Sequence, residues 1–323
     1  MSCAYRVNAV GNGSGSGNGS GSGVEPGRLL PPGVSSPAEM ATRLEGVGYL
    51  ADDGLATAVY LALALEQPLF VEGEPGVGKT SLALALAGLL GATMHRLQCY
   101  EGIGVHEALY DWNFPRQILH MRAVGDGPAE QLERDVYSRP FLLTRPLLAA
   151  LETSPSVLLV DEIDRADDEF EAFLLQVLSE YRVTIPELGT ITAAVPPVVV
   201  LTSNRTREVH DALKRRCLYH WVEHPSFERE VAIVRRRVPA ASEALARDVA
   251  AAVKLLRDED LLKPPGVAES IDWTRALVAL GAERLDPDRA IRTLGTVLKY
   301  REDQVHAAGL DLHSALARVV ADG

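Results

Sequence analysis

One segment of eight residues constrains this chain more than any other. Residues 73–80 read Gly-Glu-Pro-Gly-Val-Gly-Lys-Thr and fit the pattern Gly-x-x-x-x-Gly-Lys-[Ser/Thr]. An apolar run at residues 68–71 predicts a buried strand before the loop, and the apolar periodicity of residues 81–90 predicts a helix after it. A glycine loop between strand and helix can turn backbone N–H groups toward a phosphate at the positive end of the helix dipole. The segment therefore predicts an α/β fold with a phosphate-binding loop.

The side chains of this loop predict a nucleoside triphosphate bound with Mg²⁺. We expect Lys79 to reach the β- and γ-phosphates and the Thr80 hydroxyl to ligate the metal. The loop alone does not distinguish adenine from guanine. The predicted nucleotide-binding residues are Gly73, Glu74, Pro75, Gly76, Val77, Gly78, Lys79, Thr80 and Ser81.

A pair of acids follows a second apolar run. Residues 157–160 are apolar throughout, as is typical of parallel strands buried on both faces, and Asp161 and Glu162 come directly after them. Hydrolysis of a nucleotide needs a carboxylate to hold the metal and a group to activate water. We expect Asp161 to hold Mg²⁺ through its water shell and Glu162 to polarise the attacking water.

Three further positions have two interpretations each. Asn204 ends another apolar strand and either hydrogen-bonds the γ-phosphate or water, or forms a turn. The basic run 214–216 either interacts with a helix C-terminal dipole or supplies an arginine finger to a neighbouring subunit. Arg275 either contacts the γ-phosphate of its own subunit or is solvated on a helix surface.

Composition limits the class of protein. The chain has 323 residues, 47% hydrophobic and 24% charged, which is ordinary for about two globular domains. Its net charge of −12 disfavours nucleic acid as the main partner. Three cysteines imply no disulfide framework, and neither a signal peptide nor a membrane span is visible. We expect a soluble, cytoplasmic protein.

The chain divides into three predicted parts. Residues 1–37 are a disordered Gly/Ser/Pro-rich segment, which includes a flexible tether of Gly, Ser and Asn at 11–23. Residues 38–224 alternate strands and helices and predict a parallel sheet flanked by helices. Residues 225–323 predict a small α-helical lid domain, with helices near 226–238, 242–257, 270–280, 286–307 and 311–320.

Two interruptions are expected within the α/β core. Residues 100–137 form an insert, in which 117–122 has the character of a short strand, and a small hairpin surrounds Gly189 within 183–196. Helical character resumes at 140–151, and 207–216 reads as a short helix before a last strand at 218–222. The earlier strands are expected near 93–99, 157–160 and 198–201.

Together these motifs resemble those of the AAA+ ATPases. The resemblance depends on the phosphate loop, on Val-Leu-Leu-Val-Asp-Glu-Ile-Asp at 157–164, on Leu-Thr-Ser-Asn at 201–204 and on Ala-Leu-Lys-Arg-Arg at 212–216. It implies a P-loop AAA+ core followed by a helical lid, and a hexameric ring with ATP between subunits. It also implies that Asn204 is sensor 1, Arg275 is sensor 2, and Arg216 is the finger, with Arg215 the second choice.

Within the AAA+ ATPases the chain looks most like the MoxR branch, which carries an insert after the second strand and a hairpin before sensor 1. The segments 96–102, 110–113 and 271–277 look closest to CoxD-type members, which are associated with maturation of molybdenum-containing carbon monoxide dehydrogenase. The resemblance implies chaperone-like remodelling of a client metalloenzyme with a von Willebrand factor A-domain partner. The alternatives are a nucleic-acid-associated motor or restriction-type GTPase, and a nucleotide-gated scaffold as in gas-vesicle assembly.

Other residues are not assigned a role. His220 and His224 would share a face of a strand but have no third metal ligand in view. Cys99 at a strand end is more typical of a small core residue than of a redox centre. The basic run 235–237 is interpreted as a solvated helix end.

Overall fold

The computed structural model describes residues 29–124 and 128–310. Its strands are β1 (Leu69–Gly73), β2 (Thr93–Gln98), β3 (Tyr110–Trp112), β4 (Leu142–Thr144), β5 (Ser156–Asp161), β6 (Arg182–Ile185), β7 (Gly189–Thr192), β8 (Val198–Ser203) and β9 (Leu218–Val222). Five of them form one parallel sheet in the order β2-β5-β8-β1-β9, whereas β3 pairs with β4 and β6 with β7 in two antiparallel ribbons.

Helices cover the sheet and continue beyond it. Those up to the last strand are α1 (Pro37–Gly46), α2 (Asp53–Ala64), α3 (Lys79–Leu90), α4 (Val105–Ala108), α5 (Phe114–Val124), α6 (Ala129–Val136), α7 (Pro146–Glu152), α8 (Asp168–Glu180) and α9 (Asp211–Arg216). After the last strand come α10 (Phe227–Arg237), α11 (Glu243–Arg257), α12 (Val267–Ala279), α13 (Pro287–Val297) and α14 (Arg301–Gly309). None of the helices in the described ranges is long and apolar enough to cross a membrane.

The burial of the central strands follows from their composition. Every residue of β1, β5 and β8 is buried, because helices pack on both faces of the sheet. One apolar cluster includes Phe70 and the helices α7 and α8, and the other includes Val71 and the helices α1, α2 and α3. The predicted α/β class, with a parallel sheet flanked by helices and followed by further helices, is confirmed.

The order of the strands determines where the site can form. Parallel strands end at the same edge of a sheet, and ligands bind in the crevice beyond their carboxyl ends. Strand β1 lies between β8 and β9, and β5 lies between β2 and β8. The phosphate loop after β1, the acids at the end of β5 and Asn204 after β8 are therefore brought to one edge.

The helices after β9 have an apolar core of their own. It is centred on Trp273 of α12, which is 1% exposed and packs with residues of α11, α13 and α14. The indole Nε1 donates a hydrogen bond to Thr293 Oγ1 of α13 at 2.7 Å, so the buried polar atom has a partner.

Two predictions, one in the insert and one just after it, are wrong. Residues 117–122 lie in helix α5, not in a strand, because Asn113 caps the helix through a hydrogen bond from the Arg116 backbone N–H to its side chain at 3.1 Å. Residues 140–151 are not one helix: β4 pairs with β3, and helix α7 begins only at Pro146, a residue suited to the first helical turn.

Two helices are shorter than predicted. The range 286–307 is broken at Leu298, which is extended and fully buried, so that α13 and α14 are separate. The range 207–216 is helical only from Asp211, because the buried Glu171 carboxylate accepts a hydrogen bond from the His210 backbone N–H at 2.7 Å. The tether at 11–23, most of the segment 1–37 and the helix predicted at 311–320 lie outside the described residues.

Candidate functional site

The loop between β1 and α3 has the geometry that its glycines allow. Gly76 and Gly78 have φ values of +82° and +99°, in the left-handed region that glycine adopts without strain. At Gly73 an added Cβ would lie 2.4 Å from the Val222 carbonyl oxygen, so no larger residue fits. The loop thus presents a concave backbone at the N-terminus of a 12-residue helix, a suitable site for an anion.

Lys79 is directed into this loop. Its Nζ donates hydrogen bonds to the carbonyl oxygens of Gly73 at 2.6 Å and Glu74 at 2.8 Å, and the residue is 6% exposed. Burial lowers the pKa of Lys79, and nearby carboxylates, of which Asp164 has the largest effect, oppose that shift. The ammonium is thus held at the base of the loop, close to the acids of β5.

Asp161 ends β5 beside Thr80. Its Oδ1 accepts a hydrogen bond from Thr202 Oγ1 at 2.5 Å and one from Thr80 Oγ1 at 3.2 Å. Its Oδ2 accepts from Arg96 Nη2 at 2.6 Å, and the Asp161 side chain is 5% exposed. The hydroxyl and carboxylate predicted to hold the metal are therefore in contact across 81 residues of sequence.

Glu162 is surrounded by three polar side chains. Its Oε1 accepts a hydrogen bond from Asn204 Nδ2 at 3.3 Å. Its Oε2 accepts from Gln98 Nε2 at 3.2 Å and forms an ion pair with Arg165 Nε at 3.0 Å. Its φ is +56°, a left-handed conformation that costs on the order of 1–3 kcal/mol in a residue with a side chain and that clusters at functional sites.

Two buried carboxylates that the sequence analysis did not single out support the backbone around Asn204. Asp164 Oδ2 accepts hydrogen bonds from the Thr206 backbone N–H at 2.8 Å and from its hydroxyl at 2.7 Å. Glu72 in β1 accepts a hydrogen bond from Ser203 Oγ at 3.0 Å. Both residues could have been found from the sequence, because each is an acid inside, or just after, an apolar strand. Such an acid is buried and needs hydrogen-bonding partners.

One cavity of about 820 Å³ connects these groups with the helices after β9. The predicted residues that line it are Pro75, Gly76, Val77, Gly78, Lys79, Thr80, Ser81, Asp161, Glu162, Asn204 and Arg275. Arg275 enters from α12, where its half-exposed guanidinium contacts Asp272 at 3.1 Å. Gly73 and Glu74 lie behind the loop, where their carbonyls contact Lys79.

Arg215 and Arg216 do not line this cavity. Arg216 Nη2 donates to the Ser179 carbonyl oxygen at 2.9 Å, and the Arg215 side chain is 83% exposed, with Asp211 at 3.9 Å. Both lie in the last turn of α9, where the helix dipole favours cations.

A second part of the cavity wall, beside the loop, was missed by the sequence analysis. It includes Gly48, Tyr49 and Leu50, which follow the end of α1. Arg229 of α10 joins this wall to the later helices, since its Nη2 donates to the Leu50 carbonyl oxygen at 2.6 Å and its Nη1 contacts Asp52 at 3.2 Å. Burial raises the pKa of Tyr49, so its phenol stays neutral.

The donor set fits a magnesium ion bound with a phosphate. Within the described residues, no group of three or more His, Cys, Asp and Glu side chains could hold a metal by itself. Magnesium usually takes one or two carboxylate or hydroxyl ligands and completes its shell with phosphate and water, which the Thr80–Asp161 contact allows. His220 lies 3.9 Å from Asp52, and burial raises the pKa of Cys99 to about 12, so neither residue suggests another site.

Residues 68–217 match the family model of the AAA domain, dynein-related subfamily. A search of curated proteins finds no significant match. Among solved structures, the Holliday junction branch migration motor RuvB of Thermotoga maritima is 15% identical, with 85% of this chain and 72% of that chain covered and a TM-score of 0.44. A candidate ATPase of Cytophaga hutchinsonii is 14% identical, with 89% and 94% covered and a TM-score of 0.44.

At these identities and scores the two solved structures support no conclusion about this chain's activity or partners. The family match covers the phosphate loop, the acids of β5 and the residues after β8. The protein thus has the AAA+ P-loop fold, and its residues 68–217 match an AAA domain.

Proposed function

We propose that the protein hydrolyses ATP to ADP and phosphate with Mg²⁺. The observation that carries this proposal is the arrangement at the sheet edge: Thr80 contacts Asp161 at 3.2 Å, and Glu162 contacts Asn204 at 3.3 Å. These pairs line the same cavity as Lys79. A phosphate-binding loop alone would suit any anion, whereas a second pair of polar groups beside it suits hydrolysis.

Each residue has a distinct part in this proposal. The loop backbone and Lys79 would bind the phosphates, while Thr80 and Asp161 would hold Mg²⁺. Bound there, Mg²⁺ would stabilise the negative charge that develops on the phosphate oxygens. Glu162 accepts a proton from the attacking water, and Asn204 fixes the carboxylate that does so.

The later helices complete the site from the other side. We propose that residues 38–224 act as the core and 225–323 as a lid, and that Arg275 reaches the γ-phosphate of its own subunit. The position of Arg275 in the cavity wall supports this role, because its present partner Asp272 is half-exposed and holds it weakly.

We further propose that the active unit is a ring, expected to be a hexamer. Arg216 is the preferred finger, with Arg215 second. Both are exposed and lie outside the cavity of their own chain, as a group that acts on a neighbour's nucleotide must.

The proposal also includes a specific biological role for the ATPase. On the motifs that resemble the MoxR branch and its CoxD-type members, we propose a cytoplasmic, chaperone-like ATPase that remodels a client metalloenzyme with a von Willebrand factor A-domain partner. The client is proposed to be a molybdenum carbon monoxide dehydrogenase. The net charge of −12 disfavours a nucleic-acid motor.

Substitution of Glu162 by Gln tests the hydrolytic role. We expect Glu162→Gln to bind ATP as the wild type does and to lose at least about 100-fold in turnover, because general base catalysis contributes that much or more. Lys79→Ala should lose nucleotide binding, whereas Glu302→Gln, at an exposed acid of α14, should change neither property. Wild-type turnover in Glu162→Gln would refute the assignment.

A further inference from the structure

Arg96 forms an ion pair with Asp161 that has no part in the roles proposed so far for the phosphate loop and the lid. It lies in β2, two residues before Gln98, so both side chains project from the same face of the strand. In the register of β2 and β5, Gln98 lies opposite Asp161. The Arg96 Nη2 donates to Asp161 Oδ2 at 2.6 Å and to Gln98 Oε1 at 2.5 Å.

The two members of this ion pair differ in burial. The Asp161 side chain is 5% exposed and that of Arg96 is 52% exposed. A buried carboxylate is costly without a counter-charge, and the hydroxyls of Thr80 and Thr202 supply only dipoles. The Arg96 guanidinium, in contrast, is already half-exposed and can move into water without a large change in its own solvation, provided that another cation takes its place at Asp161.

The same guanidinium also acts on the second acid. While Gln98 Oε1 accepts from Arg96, Gln98 Nε2 donates to Glu162 Oε2 at 3.2 Å. Arg96 thus contacts the carboxylate proposed to hold the metal directly, and contacts the carboxylate proposed to activate water through Gln98. One side chain fixes both acids at once.

From these contacts we infer that Arg96 is a resident counter-ion of Asp161 that competes with the divalent cation, so that metal loading requires its release. The inference rests on the proposed function, in which Asp161 serves the metal. Arg96 holds Asp161 Oδ2, which also lies 3.4 Å from Thr80 Oγ1, so a cation placed beside Thr80 and Asp161 would repel the nearby guanidinium. Release of Arg96 also frees Gln98, which links metal loading to the environment of Glu162.

The test is the affinity for Mn²⁺, measured by electron paramagnetic resonance with a non-hydrolysable ATP analogue. Arg96→Gln removes the charge but keeps a long polar side chain, and it should bind Mn²⁺ about fivefold more tightly than the wild type, as expected for loss of a half-exposed ion pair. Arg96→Lys keeps the charge and should return the affinity toward the wild-type value.

Arg165→Gln is the matched control. Arg165 has a side-chain exposure of 55%, close to that of Arg96, but pairs with Glu162 and not with Asp161. Its loss should leave Mn²⁺ affinity within about twofold of wild type, since the charge lies farther from the metal ligand. Binding of the metal-free analogue should be equal in all variants, which shows that the loop is intact.

Unchanged or weaker Mn²⁺ binding in Arg96→Gln would overturn the inference, as would an equal gain in Arg165→Gln. These results leave the proposed function standing, because wild-type Mn²⁺ binding with the nucleotide would still be seen. If the wild type binds no Mn²⁺ with the nucleotide, the proposed function itself fails, and the inference fails with it.

Discussion

Replacement of Glu72 by Leu should reveal a buried link between the phosphate loop and the residues after β8. Glu72 directly precedes the loop and is 3% exposed. Its carboxylate accepts hydrogen bonds from Ser203 Oγ at 3.0 Å and from the Tyr219 hydroxyl at 2.9 Å. Leucine has a similar volume but offers neither donor an acceptor.

The expected loss of stability in Glu72→Leu depends on how deeply the two hydrogen-bond donors are buried. Ser203 is 0% exposed, so its hydroxyl would be left without an acceptor, at a cost of about 1–3 kcal/mol. Tyr219 is 50% exposed, so water can replace Glu72 there and the cost should stay below about 1 kcal/mol. Removal of a buried charge offsets part of this loss, so a double-mutant cycle is the appropriate measurement.

The assay is urea unfolding of single and double variants, followed by tryptophan fluorescence. Trp221 lies opposite Glu72 in the register of β1 and β9 and reports on this part of the sheet. The double variant should lose about 1–2 kcal/mol less unfolding free energy than the sum of the losses in Glu72→Leu and Ser203→Ala, because either change alone breaks the same hydrogen bond. The effects of Glu72→Leu and Tyr219→Phe on the free energy of unfolding should be nearly additive.

The link should also affect catalysis. Ser203 Oγ accepts a hydrogen bond from the Arg205 backbone N–H at 2.9 Å, which fixes the backbone on both sides of Asn204. Glu72→Leu should therefore lower turnover more than nucleotide affinity. Strict additivity at Glu72 and Ser203, with turnover unchanged, would refute this account of the buried carboxylate.

Two other predictions concern the assembly and the response to pH. Mixing Arg216→Ala with Lys79→Ala subunits should restore part of the ATPase activity, because each supplies to a mixed ring what the other lacks, and verified mixed rings without activity would contradict a finger in trans. Burial, and then the charge of Arg257, lower the pKa of His224 in the folded protein, so the unfolded chain takes up this proton first. The contribution of His224 to stability should be complete above about pH 6.5 and be lost as the pH falls toward its folded-state pKa, by at most roughly 1.4 kcal/mol per pH unit. His224→Asn should flatten the dependence of the unfolding free energy on pH in that window, and an unaltered profile would contradict this.

The sequence predicted the local parts of the site well. The spacing of glycines, lysine and threonine in 73–80 specifies a loop between a strand and a helix, since each residue acts on backbone that lies close to it in sequence. The apolar runs before Asp161 and Asn204 similarly predicted buried strands whose polar ends meet at one edge. Roles assigned from these motifs remain proposals, but the residues do lie around one cavity.

The local pattern of apolar residues predicted secondary structure less well where packing between distant segments determines it. The range 117–122 is helical, although its apolar residues suggested a strand, because the Asn113 cap and the β3–β4 pairing define the insert. The buried Leu298 breaks the predicted helix 286–307 for a similar reason: its burial in the core around Trp273 outweighs helical propensity.

The sequence by itself thus determined the phosphate loop, the acids of β5 and an α/β core followed by helices, because motif spacing and apolar runs act over short distances. Only the tertiary structure decided which residues face those acids. Arg96 and Gln98 contact them because β2 lies beside β5, and Glu72 reaches Ser203 because β1 lies beside β8. Strand order depends on how all the helices and strands pack together, and no short segment of the chain encodes it.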